Sequence, residues 1–306
     1  MKKKIVVIGS SNIDFIMKMP RLPRIGETIT DSEYMQTFGG KGANQAVGAA
    51  RAGGNVFFIS CVGDDDITPR MLKQYKKDGI NIDFVFREKN ISSGTALVMI
   101  GEKGTNYLAV APGANYKLSP QYIDKSIKLI KEAEIILLQY EIPVETLKYI
   151  LDICDQYHKT VLWNFAPARE FDKSYLSKVS TLIVNETEAE ILSGITVNNK
   201  ESIIKASEKL VGMGCISVII TLGDKGSFIN SQEGKMMVPS FKVNAVDTTA
   251  AGDIYCGTLA VALTEGRSLK DAVEFAGAAA AISVTRLGAQ PSAPYREEID
   301  EFMRGE

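Results

Sequence analysis

The chain has 306 residues, 45% hydrophobic and 24% charged, with a formal net charge of −2, which suits one large core plus an appendage and excludes a basic nucleic-acid or membrane-surface protein. A single histidine, His158 in the polar stretch DQYHKT, excludes multi-His metal centres and leaves a Ser-His-Asp triad only this one residue, for which a surface position is expected. Any general base is therefore expected to be a carboxylate.

Lys2, Lys3 and Lys4 lead into the first apolar run, KIVVIGS (4–10). That run is too short for a signal peptide and no later one spans a bilayer, so a cytoplasmic chain with no membrane partner is expected. Asn12 and Asp14 follow it. Residues 14–38 contain Pro20, Pro23 and Gly26 and alternate polar with apolar residues, as strands with one exposed face do. FGGKGANQAVGAARAGG (38–54) is a glycine-rich turn into a helix, in which Gly39, Gly40 and Gly42 permit close approach of a ligand and Asn44 can direct an amide inward. Lys41 precedes Gly42 rather than Ser or Thr, so the turn is not a P-loop. IGSSNID makes no dinucleotide fingerprint, and the protein-kinase signature is absent.

VFFISCVG (56–63) is the second strand, and Thr68-Pro69 starts a helix that Gly79 stops. SSGTALVMIGEKGTNYLAV (92–110) reads as a hairpin turning near Gly101–Gly104. Because 14–38 and 92–110 both interrupt the α/β rhythm, they are expected to pair into a small projecting sheet that acts as a lid, its open apolar face serving as a dimer contact. Ser119-Pro120 starts a further helix. EIILLQY (134–140) is followed by Glu141, and then come TVLWNF (160–165), TLIVN (181–185) and ISVIITLG (216–223). These runs are apolar throughout, as central parallel strands covered on both faces are.

The expected fold is α/β, a central mostly parallel sheet flanked by helices. Its main domain would comprise 1–13, 39–91 and 111–306, with a β-sheet lid of 14–38 and 92–110. Cys61, Cys154, Cys215 and Cys256 form no C-x-x-C pair and read as reduced, buried residues. Ligands bind at the carboxyl ends of strands in such sheets. Asn12, Asp14, Glu141, Asn185, Glu188 and TLGDKG (221–226) would all gather there. VDTTAAGDIYCG (246–257) adds a helix start with Thr248 and Thr249 as caps and free N–H groups in Ala-Ala-Gly, an anion site with the carboxylate of Asp253 in its mouth.

GGKGANQA (39–46) and VDTTAAGD (246–253), together with NETEAE (185–190), TLGDKG (221–226), NFAPARE (164–170) and VTRLGAQPS (284–292), resemble the ribokinase-like (PfkB) sugar kinases nearly end to end. The resemblance implies ATP-dependent phosphorylation of a small sugar, D-ribose at O5 first of all, with Asp253 as general base and the N–H groups of Ala250, Ala251, Gly252 and Asp253 as an anion hole. It implies that Asn12, Asp14, Gly40, Lys41, Gly42, Ala43, Asn44, Glu141 and Asp253 hold the sugar. The nucleotide would lie along Asn185, Thr221, Leu222, Gly223, Asp224, Lys225, Gly226, Gly252, Asp253 and Gly277. Asn185 and Glu188 would order Mg²⁺ through water. Asp247, Thr249, Ser283, Arg286, Gly288 and Ser292 would surround a K⁺ ion, mainly through backbone carbonyls. A homodimer through the lid sheet is expected.

Two departures stand out. Gly277 occupies a position where a histidine often flanks adenine, and Ile254-Tyr255-Cys256 replaces the commoner Thr-Phe-Asn. Deoxyribokinases of the family carry an apolar residue at the position of Asn12, which here favours a sugar with its 2-hydroxyl. The alternatives are a kinase for 2-deoxyribose or another small sugar or nucleoside, and a non-catalytic sugar- or nucleotide-binding regulator.

Overall fold

A computed structural model describes residues 2–101 and 106–305. Its larger sheet has nine strands. They are β1 (Lys4–Ile8), β4 (Asn55–Val62), β5 (Asn81–Arg87), β8 (Ile135–Leu138), β9 (Thr160–Asn164), β10 (Thr181–Asn185), β11 (Ser217–Thr221), β12 (Ser227–Ser231) and β13 (Gly234–Val238). The order is β13-β12-β11-β10-β9-β8-β1-β4-β5. Pairing is parallel from β11 through to β5, and β12 and β13 close one side antiparallel. All six apolar runs form strands of this sheet, as the sequence suggests.

Their continuous hydrophobicity has a direct cause. In β1, Ile5 and Val7 point into one apolar layer and Val6 and Ile8 into the other. Helices Lys41–Arg51, Ala251–Thr264 and Leu269–Val284 cover the first face, and Val144–Gln156 and Lys200–Gly212 the second. With both faces dry, neither parity of the strand can be polar.

A separate four-stranded sheet has the order β3-β2-β6-β7. It joins β2 (Asn12–Met19) and β3 (Glu33–Gly39) to β6 (Gly94–Gly101) and β7 (Asn106–Ala111). The two irregular segments thus pair with one another. The expected turn near Gly101–Gly104 lies mostly outside the described residues. No described helix is long and apolar enough to cross a membrane.

One contact on the first face positions the chemistry. A Cβ on Gly257 would lie 2.3 Å from the Gln45 carbonyl oxygen and 2.7 Å from the Ala49 nitrogen, so only glycine lets the 251–264 helix touch the backbone of the 41–51 helix. This approach carries Asn44 and Gln45 to Asp253.

Candidate functional site

The site lies where the carboxyl ends of β1, β8, β9 and β10 meet the N-termini of the 41–51 and 251–264 helices. Gly40 caps the first helix at φ +88°, a conformation that suits glycine. It swings the chain so that the Ala43 N–H donates to the Ser10 carbonyl at 2.8 Å. Glu141 braces this turn. Its Oε2 accepts from the Ser10 hydroxyl at 2.5 Å and from the Lys41 N–H at 3.0 Å, so part of a carboxylate expected for the sugar serves the turn instead. Asn12 is buried, and its Oδ1 accepts from Asn115 at 2.8 Å, while Asn115 in turn accepts from the Ser11 N–H at 2.8 Å. That pairing engages the Asn12 oxygen and leaves its amide nitrogen free to donate.

Asp253 is 5% exposed. Its Oδ2 accepts from Asn44 Nδ2 at 3.0 Å and its Oδ1 from Gln45 Nε2 at 3.1 Å. Burial raises its carboxyl above the ordinary aspartate range, Lys41, Asn44 and Gln45 work against that rise, and Glu141 adds to it. Hydrogen bonds to a charged group contribute about 1.5–3 kcal/mol each, enough to offset part of the burial penalty. Asp14 is pushed up to about 7, by burial first and then by Glu141, and its Oδ1 is buried without a hydrogen-bond partner among the described residues. Against these carboxylates stands Lys41, whose ammonium is held above its ordinary pKa chiefly by Asp253.

The anion end differs from expectation in its capping. Neither Thr248 nor Thr249 caps the 251–264 helix. Its N-cap is Ala250, left-handed at φ +60°, with no side-chain bond. The Ala251 N–H, expected in the anion hole, donates to the Thr248 carbonyl at 3.3 Å, because the left-handed residue folds the chain back on itself. The Ile254 N–H takes the Ala250 carbonyl, which leaves the first-turn donors of Gly252 and Asp253 for an anion.

Asn185 and Glu188 form a reciprocal capping box, with the Glu188 N–H 2.8 Å from Asn185 Oδ1 and the Asn185 N–H 2.9 Å from Glu188 Oε2. One oxygen of each is thereby engaged. The carboxylate of Glu188 and the amide oxygen of Asn185 are hard oxygen donors of the kind that Mg²⁺ or its waters take. In the 247–292 loops the side chains are mostly tied inward. Asp247 accepts from the Thr249 and Gly288 N–H groups at 2.9 and 2.8 Å, and Arg286 pairs with Glu298. The Ser283 and Ser292 hydroxyls donate to backbone carbonyls of Ala280 and Ala289. With these side chains engaged, backbone carbonyl oxygens are the donors a monovalent cation would mainly use, which fits such an ion.

Thr221 to Gly226 form a tight turn in which the Leu222 N–H meets the Gly226 carbonyl at 2.8 Å. The Leu222 side chain is buried in the core beneath the turn, so only its backbone faces outward. A Cβ on Gly277 would meet nothing nearer than the Phe241 ring, at 4.0 Å, which leaves open space beside that ring.

Gln45, Gln139, Asn164 and Asn115 join the site without having been singled out from the sequence. Gln139 and Asn164 sit at the carboxyl ends of β8 and β9, so the rule that found Glu141 and Asn185 would have found them had it included the strand ends themselves. Gln45 adjoins Asn44 but bonds residues remote in sequence.

The family model for pfkB family carbohydrate kinase matches residues 2–296. Ribokinase of Haemophilus influenzae is 38% identical over 99% of both chains, and deoxyribokinase of Salmonella typhi is 36% identical over 98% of both. The structure of Arabidopsis thaliana ribokinase complexed with ribose and ATP superposes with a TM-score of 0.94 at 31% identity, over 99% of both chains. A buried carboxylate at a helix N-terminus, the two-sheet architecture and a match spanning nearly the whole chain agree: this chain belongs to the pfkB family of carbohydrate kinases.

Proposed function

We propose that the chain transfers the γ-phosphoryl group of ATP to O5 of D-ribose, giving D-ribose 5-phosphate and ADP. The observation that carries this reading is Asp253, buried at the first turn of a helix with both oxygens held by amides and free N–H groups beside it. Asp253 takes the proton from the attacking hydroxyl, and the Gly252 and Asp253 N–H groups, framed by Ala250, stabilise charge on the phosphoryl group in flight. Asn12, Asp14, the 40–44 turn and Glu141 orient the sugar.

The nucleotide lies along 221–226 and Gly277, near Asn185. Mg²⁺, when bound with it, neutralises phosphate charge, with Asn185 and Glu188 ordering its waters. K⁺ at the 247–292 loops completes the anion end. The small sheet, 14–38 with 92–110, acts as a lid on the remainder of the chain. Met35, Leu108 and Val110 are exposed on the face it shares with Asp14, which supports a homodimer through that sheet; a monomer by light scattering at working concentration overturns it. Four free, buried cysteines fit the reducing cytoplasm.

A second reading, 2-deoxyribose as substrate, is favoured by the deoxyribokinase relative. The fixed donor on Asn12 favours ribose, since a buried amide left without its hydroxyl costs about 1–3 kcal/mol. ADP release at saturating MgATP with K⁺ present, compared for the two sugars, separates them. The expected result is a higher kcat/KM for ribose. Preference for deoxyribose overturns the substrate, and silence with both sugars overturns the ribose and deoxyribose readings and turns the assay to other small sugars and nucleosides.

A further inference from the structure

We propose that Gln45 and Gln139 form an amide relay that aims the carboxylate of Asp253 and keeps it ionised, making both positioning residues for phosphoryl transfer. The inference rests on Asp253 being the base. Its starting point is that an ionised carboxylate only accepts hydrogen bonds. Asp253 Oδ1 lies 3.1 Å from the Gln45 amide, so Gln45 must present its NH₂ there, and its carbonyl must point away. That carbonyl then needs a donor. Gln139 Nε2 supplies one at 2.6 Å. The second N–H of Gln45 reaches Asn164 Oδ1 at 3.1 Å, and Asn164 Nδ2 donates onward to the Ile183 carbonyl at 3.4 Å. A flipped Gln45 would set oxygen against oxygen at Asp253 and NH₂ against NH₂ at Gln139. Each amide therefore fixes the next.

Burial separates this relay from ligand contact. Gln45 is 0% and Gln139 1% exposed, so neither presents surface to a sugar. Stability does not explain them either. Gln139 Oε1 is buried with no partner among the described residues, and an apolar side chain of similar volume would avoid that penalty. Local rules broken in a core point to function.

Several other titratable groups face Asp253. Lys41 comes from the 41–51 helix, Glu141 from the loop after β8 and Glu188 from the 186–193 helix, and Cys256 lies on its own helix. Lys41 favours the ionised carboxylate, and Glu141 and Glu188 oppose it. The amides are the neutral donors that tip this balance without adding charge.

The test is kcat and KM for ribose against pH in Gln45→Met, Gln139→Met, the double variant and Asp253→Asn, each checked by thermal unfolding. The acid limb of kcat reports the loaded complex. In Gln45→Met we expect kcat to fall about 10- to 100-fold and KM to change less than about threefold, with the acid limb moving up by about one pH unit. Gln139→Met should move the same limb the same way but less. In the double variant it should add nothing to Gln45→Met, because its influence passes through Gln45.

An unmoved limb in both single variants overturns the relay, as does a Gln139 effect that multiplies in full upon Gln45→Met. Should Gln45→Met fail to fold, the limb of Gln139→Met decides alone. Turnover retained by Asp253→Asn overturns the base assignment and the relay with it. An inactive Asp253→Asn beside unmoved limbs overturns the relay only.

Discussion

The two ends of the site are built by different means. At the end assigned to the sugar, residues 9–14 and 38–45 are locked to partners far along the chain, Glu141 to Lys41 and Asn115 to Asn12. At the end assigned to the nucleotide, the 221–226 turn closes mainly through its own backbone, with the Leu222 and Gly226 N–H groups bonded to Gly226 and Gly223 carbonyls. Side-chain ties to the remainder of the chain are the Thr221 hydroxyl to the Val184 carbonyl and the Ser240 hydroxyl to the Asp224 carbonyl. The first is a preorganised socket, in which donors are fixed before a ligand arrives. The second is a shelf of local backbone. Selectivity should therefore reside in the socket, where an unmatched hydroxyl leaves a buried group unpaired.

Asp253→Asn strikes the point where the two ends meet and carries the largest expected effect. Asparagine keeps the shape but places an NH₂ against the amides of Asn44 or Gln45 and removes the base. We expect kcat to fall by about 10³-fold or more, within the range of lost general bases and charge positioning, with a cooperative thermal transition retained. A variant keeping a tenth of wild-type ADP release would remove Asp253 from the chemistry.

Glycines sharpen the contrast. A Cβ on Gly42 would lie 2.6 Å from the backbone of Gly9 and of Ser10, whereas a Cβ on Gly252 meets nothing within 4 Å. Gly42→Ala should destabilise the fold by about 2–4 kcal/mol, as overpacking against backbone does. Gly252→Ala should leave the melting temperature unchanged or raise it, by up to about 1 kcal/mol of helix propensity. It should still lower kcat, because the new methyl occupies space an incoming phosphate needs. Equal melting temperatures for the two variants would erase the distinction between socket and shelf.

What the sequence disclosed follows the same division. Strands buried on both faces, β1, β4 and β8 to β11, announce themselves as unbroken apolar runs. β5, β12 and β13 do not, because β5 and β13 are sheet edges and SFINS and GKMMV mix polar with apolar residues. Polar residues just beyond strand ends, such as Asn12 and Glu141, could be named from position alone. Gln45 could not, since its partners Gln139, Asn164 and Asp253 lie 94, 119 and 208 residues away. Ala250 as N-cap was equally illegible. Local preference favours Thr248 or Thr249, and tertiary closure of the loop overrides it.

Asp14 offers a gentler probe of the socket. Its carboxyl titrates at about 7 in the folded chain and near the ordinary aspartate value of about 4 when unfolded. The unfolded state thus ionises first as pH rises. Stability associated with Asp14 is full below about pH 4 and is lost as pH climbs to about 7, by at most about 4 kcal/mol. Asp14→Asn should therefore raise the melting temperature more at pH 8 than at pH 5. KM for ribose in the parent chain should fall as pH rises through 7, when the ionised carboxylate becomes the stronger acceptor, and this dependence should flatten in the variant. A pH-independent difference in melting temperature would mean that Asp14 is already ionised in the fold.

The smallest expected effect lies at Ala250, where the shelf side holds a left-handed residue that is not glycine. An L-residue there costs about 1–2 kcal/mol, and glycine would relieve it while giving back about 0.5–1 kcal/mol of unfolded-chain freedom. Ala250→Gly should then stabilise the chain by about 1 kcal/mol or less. Turnover should move the opposite way. The restricted alanine holds the loop that aims the Gly252 and Asp253 N–H groups, so loosening it should lower kcat about two- to fivefold, as when activity needs a strained site. Thermal unfolding beside steady-state ADP release reads both signs at once. A gain in stability with undiminished kcat would mean that the aim of these donors comes from the helix itself, and that the left-handed alanine only steers the loop.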